Sequence, residues 1–122
     1  MAQRTILITG GAGFIGSHLV EKLQGRGDHV VVVDDLSTGR LDNLAGADDA
    51  SLEVIEGTVA TVLPKLDAER FDEIYHLAAA VGVRLVIEDP VHTIETNVHE
   101  TSAILEFAGR HATPTLLAST SE

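Results

Sequence analysis

The β-branched run Thr5-Ile6-Leu7-Ile8-Thr9 breaks abruptly into Gly10-Gly11-Ala12-Gly13-Phe14-Ile15-Gly16 and then becomes helical. Three glycines spaced by three residues after a strand leave few options for the backbone. Gly10 lets the chain leave the strand in a conformation that side chains forbid. Gly13 removes a side chain where a ligand can approach the backbone, and Gly16 lets the new helix pack close to the strand. The helix then presents unpaired N–H groups and the positive end of its dipole, a place for phosphate oxygens. The segment therefore predicts a strand, a dinucleotide-binding turn and a helix.

The flanking sequence agrees. Ile15, Leu19, Val20 and Leu23 are expected to face inward on the helix, and Gly25 and Gly27 close it. A second strand, His29-Val30-Val31-Val32-Val33, ends on Asp34, at the separation from the glycines that a ribose-binding carboxylate requires. Such a carboxylate accepts from the free 2′-hydroxyl of NAD and repels the 2′-phosphate of NADP; Asp35 adds to that repulsion. Arg40 is the one nearby residue that argues for NADP, and a solvated arginine opening a short helix accounts for it equally. The plain alternative is a turn that only packs tightly, with Asp34 capping the next loop.

At 122 residues the chain amounts to one domain, 1–122. Its 44% hydrophobic content is that of a globular protein. A net charge of −11, with eight scattered basic residues, argues against nucleic acid or an anionic membrane as partner. Cysteine is absent, which removes disulfides, thiolate catalysis and Cys-ligated zinc, and makes a reducing cytoplasm the natural compartment. No leader precedes the first strand and no apolar run reaches membrane-spanning length, so a soluble protein is expected.

Further along, a loop and a short helical piece at Arg40–Ala45 precede an acidic turn at Asp48 and Asp49. Leu52–Glu56 alternates as a third strand, and a poor helix with Val59, Val62, Leu63 and Leu66 is shortened by Pro64. Phe71–Ala78 reads as a fourth strand, buried on both faces toward its end. A long helix starts near Asp89-Pro90, with Val91, Ile94, Val98, Thr101, Leu105 and Ala108 at helical spacing, and Pro114–Ser119 is a fifth strand. This alternation predicts an α/β fold, a Rossmann-type doubly wound parallel sheet of about five strands in order 3-2-1-4-5. The carboxyl ends of those strands bring the glycine turn, Asp34, Gly57-Thr58-Val59, Leu77-Ala78-Ala79 and Ser119-Thr120-Ser121 to one edge, where such sheets bind ligands. An alanine run after a buried strand can also be simple close packing.

Taken together, TGGAGFIGSHL, VVVDDLSTGR, YHLAA, the DP-initiated helix with Thr96-Asn97-Val98 and the terminal LLASTSE resemble the extended short-chain dehydrogenases acting on nucleotide sugars. These are the UDP-sugar 4-epimerases, UDP-glucuronate decarboxylases and dTDP-sugar 4,6-dehydratases. The resemblance implies tightly held NAD that takes a hydride from sugar C4, a UDP-linked nucleotide sugar as substrate, and a homodimer of the complete enzyme through a four-helix bundle. It puts Gly10, Gly13, Phe14, Ile15 and Gly16 at the pyrophosphate and Asp34 and Asp35 at the adenosine ribose. Thr58 and Val59 fall at the adenine, and Leu77, Ala78 and Ala79 along the cofactor's middle. Thr120 falls where the family has the hydroxyl that bonds the reacting group, although a strand-end threonine bonded to backbone needs no such role.

Several positions depart from the family. Thr58 stands where an Asp usually accepts from the adenine amino group, which weakens adenine binding by about 1.5 to 3 kcal/mol on the scale of charge-assisted bonds. Asp35 replaces a frequent Asn, and Glu100 a frequent Gly. Ser121-Glu122 keeps the Glu but not the Asp of the dehydratases' acid/base pair, which favours epimerase or decarboxylase chemistry. The family's Tyr-x-x-x-Lys base is missing: Tyr75 is the only tyrosine, and Lys22 and Lys65 are the only lysines. The resemblance thus implies the N-terminal, NAD-binding part of such an enzyme, incomplete and inactive alone. A stand-alone NAD-sensing module is the competing reading. His92 and His99, two helical turns apart, make no metal site, and none is expected.

Overall fold

The computed structural model describes residues 3–36, 40–47, 49–77 and 90–117. Five strands, β1 (Thr5–Thr9), β2 (His29–Asp34), β3 (Leu52–Glu56), β4 (Glu73–His76) and β5 (Thr115–Leu117), pair in parallel in the order β3-β2-β1-β4-β5. This is the expected topology. Among the described residues the α-helices are α1 (Phe14–Gly25), α2 (Val59–Val62), which tightens into a 3₁₀ turn at Leu63–Leu66, and α3 (Pro90–His111). Pro64 lies in that 3₁₀ turn, where its missing N–H cannot continue an α-helix. Another 3₁₀ turn, Leu41–Leu44, follows Arg40 as expected. Asp48, Ala78–Asp89 and Ala118–Glu122 lie outside the described residues.

The central strands are apolar on both faces because each face is covered. Leu7, Val31, Val33 and Ile74 pack under α2 and α3 with Val59, Val62, Leu63, Leu66, Ile104 and Phe107. The alternate residues Ile6, Ile8, Val30 and Val32 pack on the opposite face with Ala12, Val20, Leu23 and Leu44. A side-chain period of two along each strand divides the same run between two cores. At one sheet edge, β3 carries exposed Glu53 and Glu56, charges that discourage pairing with another chain.

One expected helix face is corrected, and the structure decides a second. Ile15 is 72% exposed at the first turn of α1; Val20 and Leu23 carry the buried stripe. Among the described side chains of α3, Ile104, Phe107 and Ala108 are buried, whereas Val91, Val98 and Leu105 are exposed, Val98 at 60%. Those three recur every seven residues and form a second apolar seam, roughly a third of a turn around the helix from the core-facing one. Ala108 is buried as expected, and the side chain of Ile94 is outside the described set. Strands β4 and β5 are described over Glu73–His76 and Thr115–Leu117, shorter than the runs that sequence suggests.

Candidate functional site

The glycine turn sits at the carboxyl edge of β1, held by backbone bonds. Gly10 adopts φ 77°, the left-handed region that favours glycine, and its N–H donates to Val33 O at 2.8 Å. Gly13 N–H donates back to Gly10 O at 3.2 Å, and Ser17 N–H to Gly13 O at 2.9 Å, starting α1. A Cβ on Gly16 would lie 2.3 Å from Gly10 O and 2.7 Å from Gly11 Cα, so helix and turn touch backbone to backbone. A Cβ on Gly13 would meet only Gly10 O, at 3.4 Å, which leaves its other side open. The two glycines thus differ in their surroundings, Gly16 packed against backbone and Gly13 beside open space.

Asp34 ends β2 and is 7% exposed. Its Oδ2 accepts from Ala12 N–H at 3.0 Å, inside the glycine turn, and its Oδ1 from Leu36 N–H at 2.7 Å. The loop-capping role is therefore real. It coexists with a carboxylate fixed beside the turn, each oxygen of which has a second lone pair for a hydroxyl donor. Asp35 is exposed next to it. Ala12 O accepts from Arg40 N–H at 3.0 Å and from Asn43 Nδ2 at 2.7 Å, tying the segment after β2 to the same turn.

The other expected positions sort by element. Gly57 N–H donates to Asp34 O at 3.0 Å, which links the ends of β2 and β3. Thr58 is the N-cap of α2: its Oγ1 accepts from Thr61 N–H at 3.3 Å and lies 2.8 Å from Thr61 Oγ1. Val59 is buried in the core, so that only its backbone can face a ligand. Leu77 N–H donates to Thr9 O at 2.9 Å, which holds the end of β4 against β1. Phe14 and Ile15 stand exposed at the start of α1, Phe14 with its ring against His18 at 4.6 Å between centroids. Ala78, Ala79 and Thr120 lie outside the described residues.

Three contacts escape sequence reasoning. A Cβ on Gly11 would approach both Cγ atoms of Val32 at 2.7 Å, and the doubled glycine is its only signal. His76 Nδ1 and Thr9 Oγ1 lie 2.7 Å apart beneath the turn, and burial holds the imidazole below its ordinary pKa. Glu100 of α3 reaches Ala60 N–H at 3.0 Å. Tyr75 donates to Glu73 Oε1 at 3.2 Å; burial first, then the Glu73 carboxylate, pushes its hydroxyl upward, away from the range of a general base.

The described geometry fits a dinucleotide: an open backbone at Gly13, a helix N-terminus behind it and a fixed carboxylate one strand away. A family described as GDP-mannose 4,6 dehydratase matches residues 7–122. The chain belongs to that family. UDP-glucuronic acid decarboxylase 1 of Arabidopsis thaliana is 47% identical over 118 residues, covering 96% of this chain and 26% of that protein. Among solved structures, an epimerase from Methanothermobacter thermautotrophicus aligns at TM-score 0.89 and 27% identity, over 98% of this chain and 36% of its own. UDP-glucose 4-epimerase from Brucella ovis, in complex with NAD, aligns at TM-score 0.81 and 30% identity, over 97% and 36%. The chain thus spans about a quarter of the curated decarboxylase it matches.

Proposed function

We propose that this chain is the NAD-binding portion of a nucleotide-sugar 4-epimerase or UDP-glucuronate decarboxylase. The observation that carries the reading is the Asp34 carboxylate, locked to Ala12 N–H of the glycine turn so that ribose and pyrophosphate sites are built as one unit. Gly13 and the start of α1 hold the pyrophosphate, and Asp34 accepts from the ribose 2′-hydroxyl. The Thr58–Val59 loop borders the adenine, and Leu77, Ala78 and Ala79 line the middle. NAD, when bound, supplies a hydride acceptor for C4 of a UDP-linked sugar. Thr120 then hydrogen-bonds the reacting hydroxyl. The hydroxyl's proton needs an acceptor, and Tyr75, engaged with Glu73 inside β4, is not one. Losing a general base costs about two to four orders of magnitude, so the chain alone binds without turnover. The exposed Val91, Val98 and Leu105 seam supports a homodimer built through α3.

Calorimetric titration tests the reading. NAD is expected to bind more tightly than NADP, and Asp34→Ala to narrow the difference. Equal or tighter NADP binding by the parent chain, or turnover of a UDP-sugar by it, contradicts the assignment.

A further inference from the structure

Helix α2 starts at the carboxyl edge of β3 and is only four residues long before it tightens. Thr61 N–H and Val62 N–H donate to Thr58 O at 3.2 and 3.0 Å, while the N–H groups at the very start of a helix have no acceptor one turn back. Thr58 Oγ1 accepts from Thr61 N–H at 3.3 Å, a local cap. Ala60 N–H is served from much farther away: Glu100 Oε2, 40 residues along the chain on α3, accepts it at 3.0 Å. Neither side chain is bonded to Val59 N–H, and with the Val59 side chain buried only its backbone is left for a ligand at this edge. The Thr58 hydroxyl is within hydrogen-bond distance of Thr61 Oγ1 as well, at 2.8 Å, and is committed to the cap.

The Gly57–Val59 segment is thereby held from both ends. Gly57 N–H donates to Asp34 O at 3.0 Å, while Ala60 is pinned to α3 by a charged acceptor. A charged acceptor makes the stronger bond, and the partly buried setting spares it from full competition with water. We infer that Glu100 is a positioning residue for the cofactor's adenine end, fixing the Thr58–Val59 backbone through Ala60 N–H. It does so without touching the cofactor. The inference rests on the NAD-binding reading above and adds to it a specificity element carried by α3.

The test uses the chain with NAD and with nicotinamide hypoxanthine dinucleotide, which differs only at the edge of the purine. Glu100→Ala is expected to weaken NAD binding about threefold to tenfold, the range of one lost hydrogen bond, and to weaken the hypoxanthine analogue less. Glu100→Gln keeps an acceptor at the same reach and should restore NAD affinity. Glu100→Asp, one methylene shorter, should behave as the alanine variant and serves if alanine unfolds the chain. Equal losses for both dinucleotides would reduce Glu100 to a structural cap and overturn the inference, as would no loss at all. Failure of the parent chain to bind NAD would instead overturn the proposed function.

Discussion

At the scale of single residues, the glycines separate by what surrounds them. Adding a methyl at Gly16 drives it into the backbone of Gly10 and Gly11, which no rotamer change relieves. Gly16→Ala is expected to cost about 3 kcal/mol, the upper end for overpacking, in urea unfolding, and to abolish NAD binding. At Gly25, nothing lies within 4 Å of the added Cβ. Gly25→Ala should stabilise by about 0.4–1 kcal/mol through the unfolded chain's lost freedom. His76 gives a second residue-scale prediction. Burial lowers its folded pKa below its ordinary value, so as pH falls the unfolded chain takes up the proton first. Stability is unaffected above pH of about 6.5 and is lost progressively below it, until the folded value is reached. Asp67 and Glu73, whose pKa values are lowered by His111 and Arg110 and by Arg4 respectively, add their losses only in the lower carboxylate range. Urea melts from pH 7.5 to 5 should therefore slope downward, and His76→Asn, which still offers Thr9 a polar partner, should flatten the slope.

At the scale of elements, legibility depended on how local the determining physics is. The apolar residues on both faces of β1 and β2 and the turn at Gly10, Gly13 and Gly16 are dictated by neighbours within a few residues, whereas the strand order, which joins β1 to β4 across 67 residues, follows from the alternation of strands and helices. The sequence exposes them directly. Helix α3 carries two apolar stripes, and the helical spacing of Val91, Val98, Leu105 and Ala108 does not by itself tell which of them meets the sheet. The bond between Glu100 and Ala60 was invisible for a related reason, since it joins residues brought together only by the packing of α3 beside α2. The stripe assignment is itself testable. Phe107, fully buried with its ring 6.1 Å from that of Phe71, should cost about 3–5 kcal/mol on substitution by alanine. Val98→Ala, on the exposed seam, should leave the unfolding free energy of the dissociated chain within about 0.5 kcal/mol of the parent.

For the whole molecule, two apolar surfaces and a cofactor edge converge on the same expectation. Strand β5 pairs with β4 on one side, and Leu116 on it is 56% exposed, with Leu117 exposed beside it. The α3 seam adds Val91, Val98 and Leu105. Apolar surface of this kind favours association, while a net charge of −11 opposes indiscriminate aggregation without covering either surface. A ligand that binds only the folded state stabilises it by mass action, about 2.7 kcal/mol at one hundred times its dissociation constant. For a chain of this size that is a rise in melting temperature on the order of 10 °C. Sedimentation should accordingly show concentration-dependent self-association that Val98→Glu weakens, and thermal melts should shift upward with NAD more than with an equal concentration of NADP. A cooperative, high-melting monomer indifferent to NAD would mean that these surfaces need no partner and that the carboxyl edge of the sheet is not a dinucleotide site.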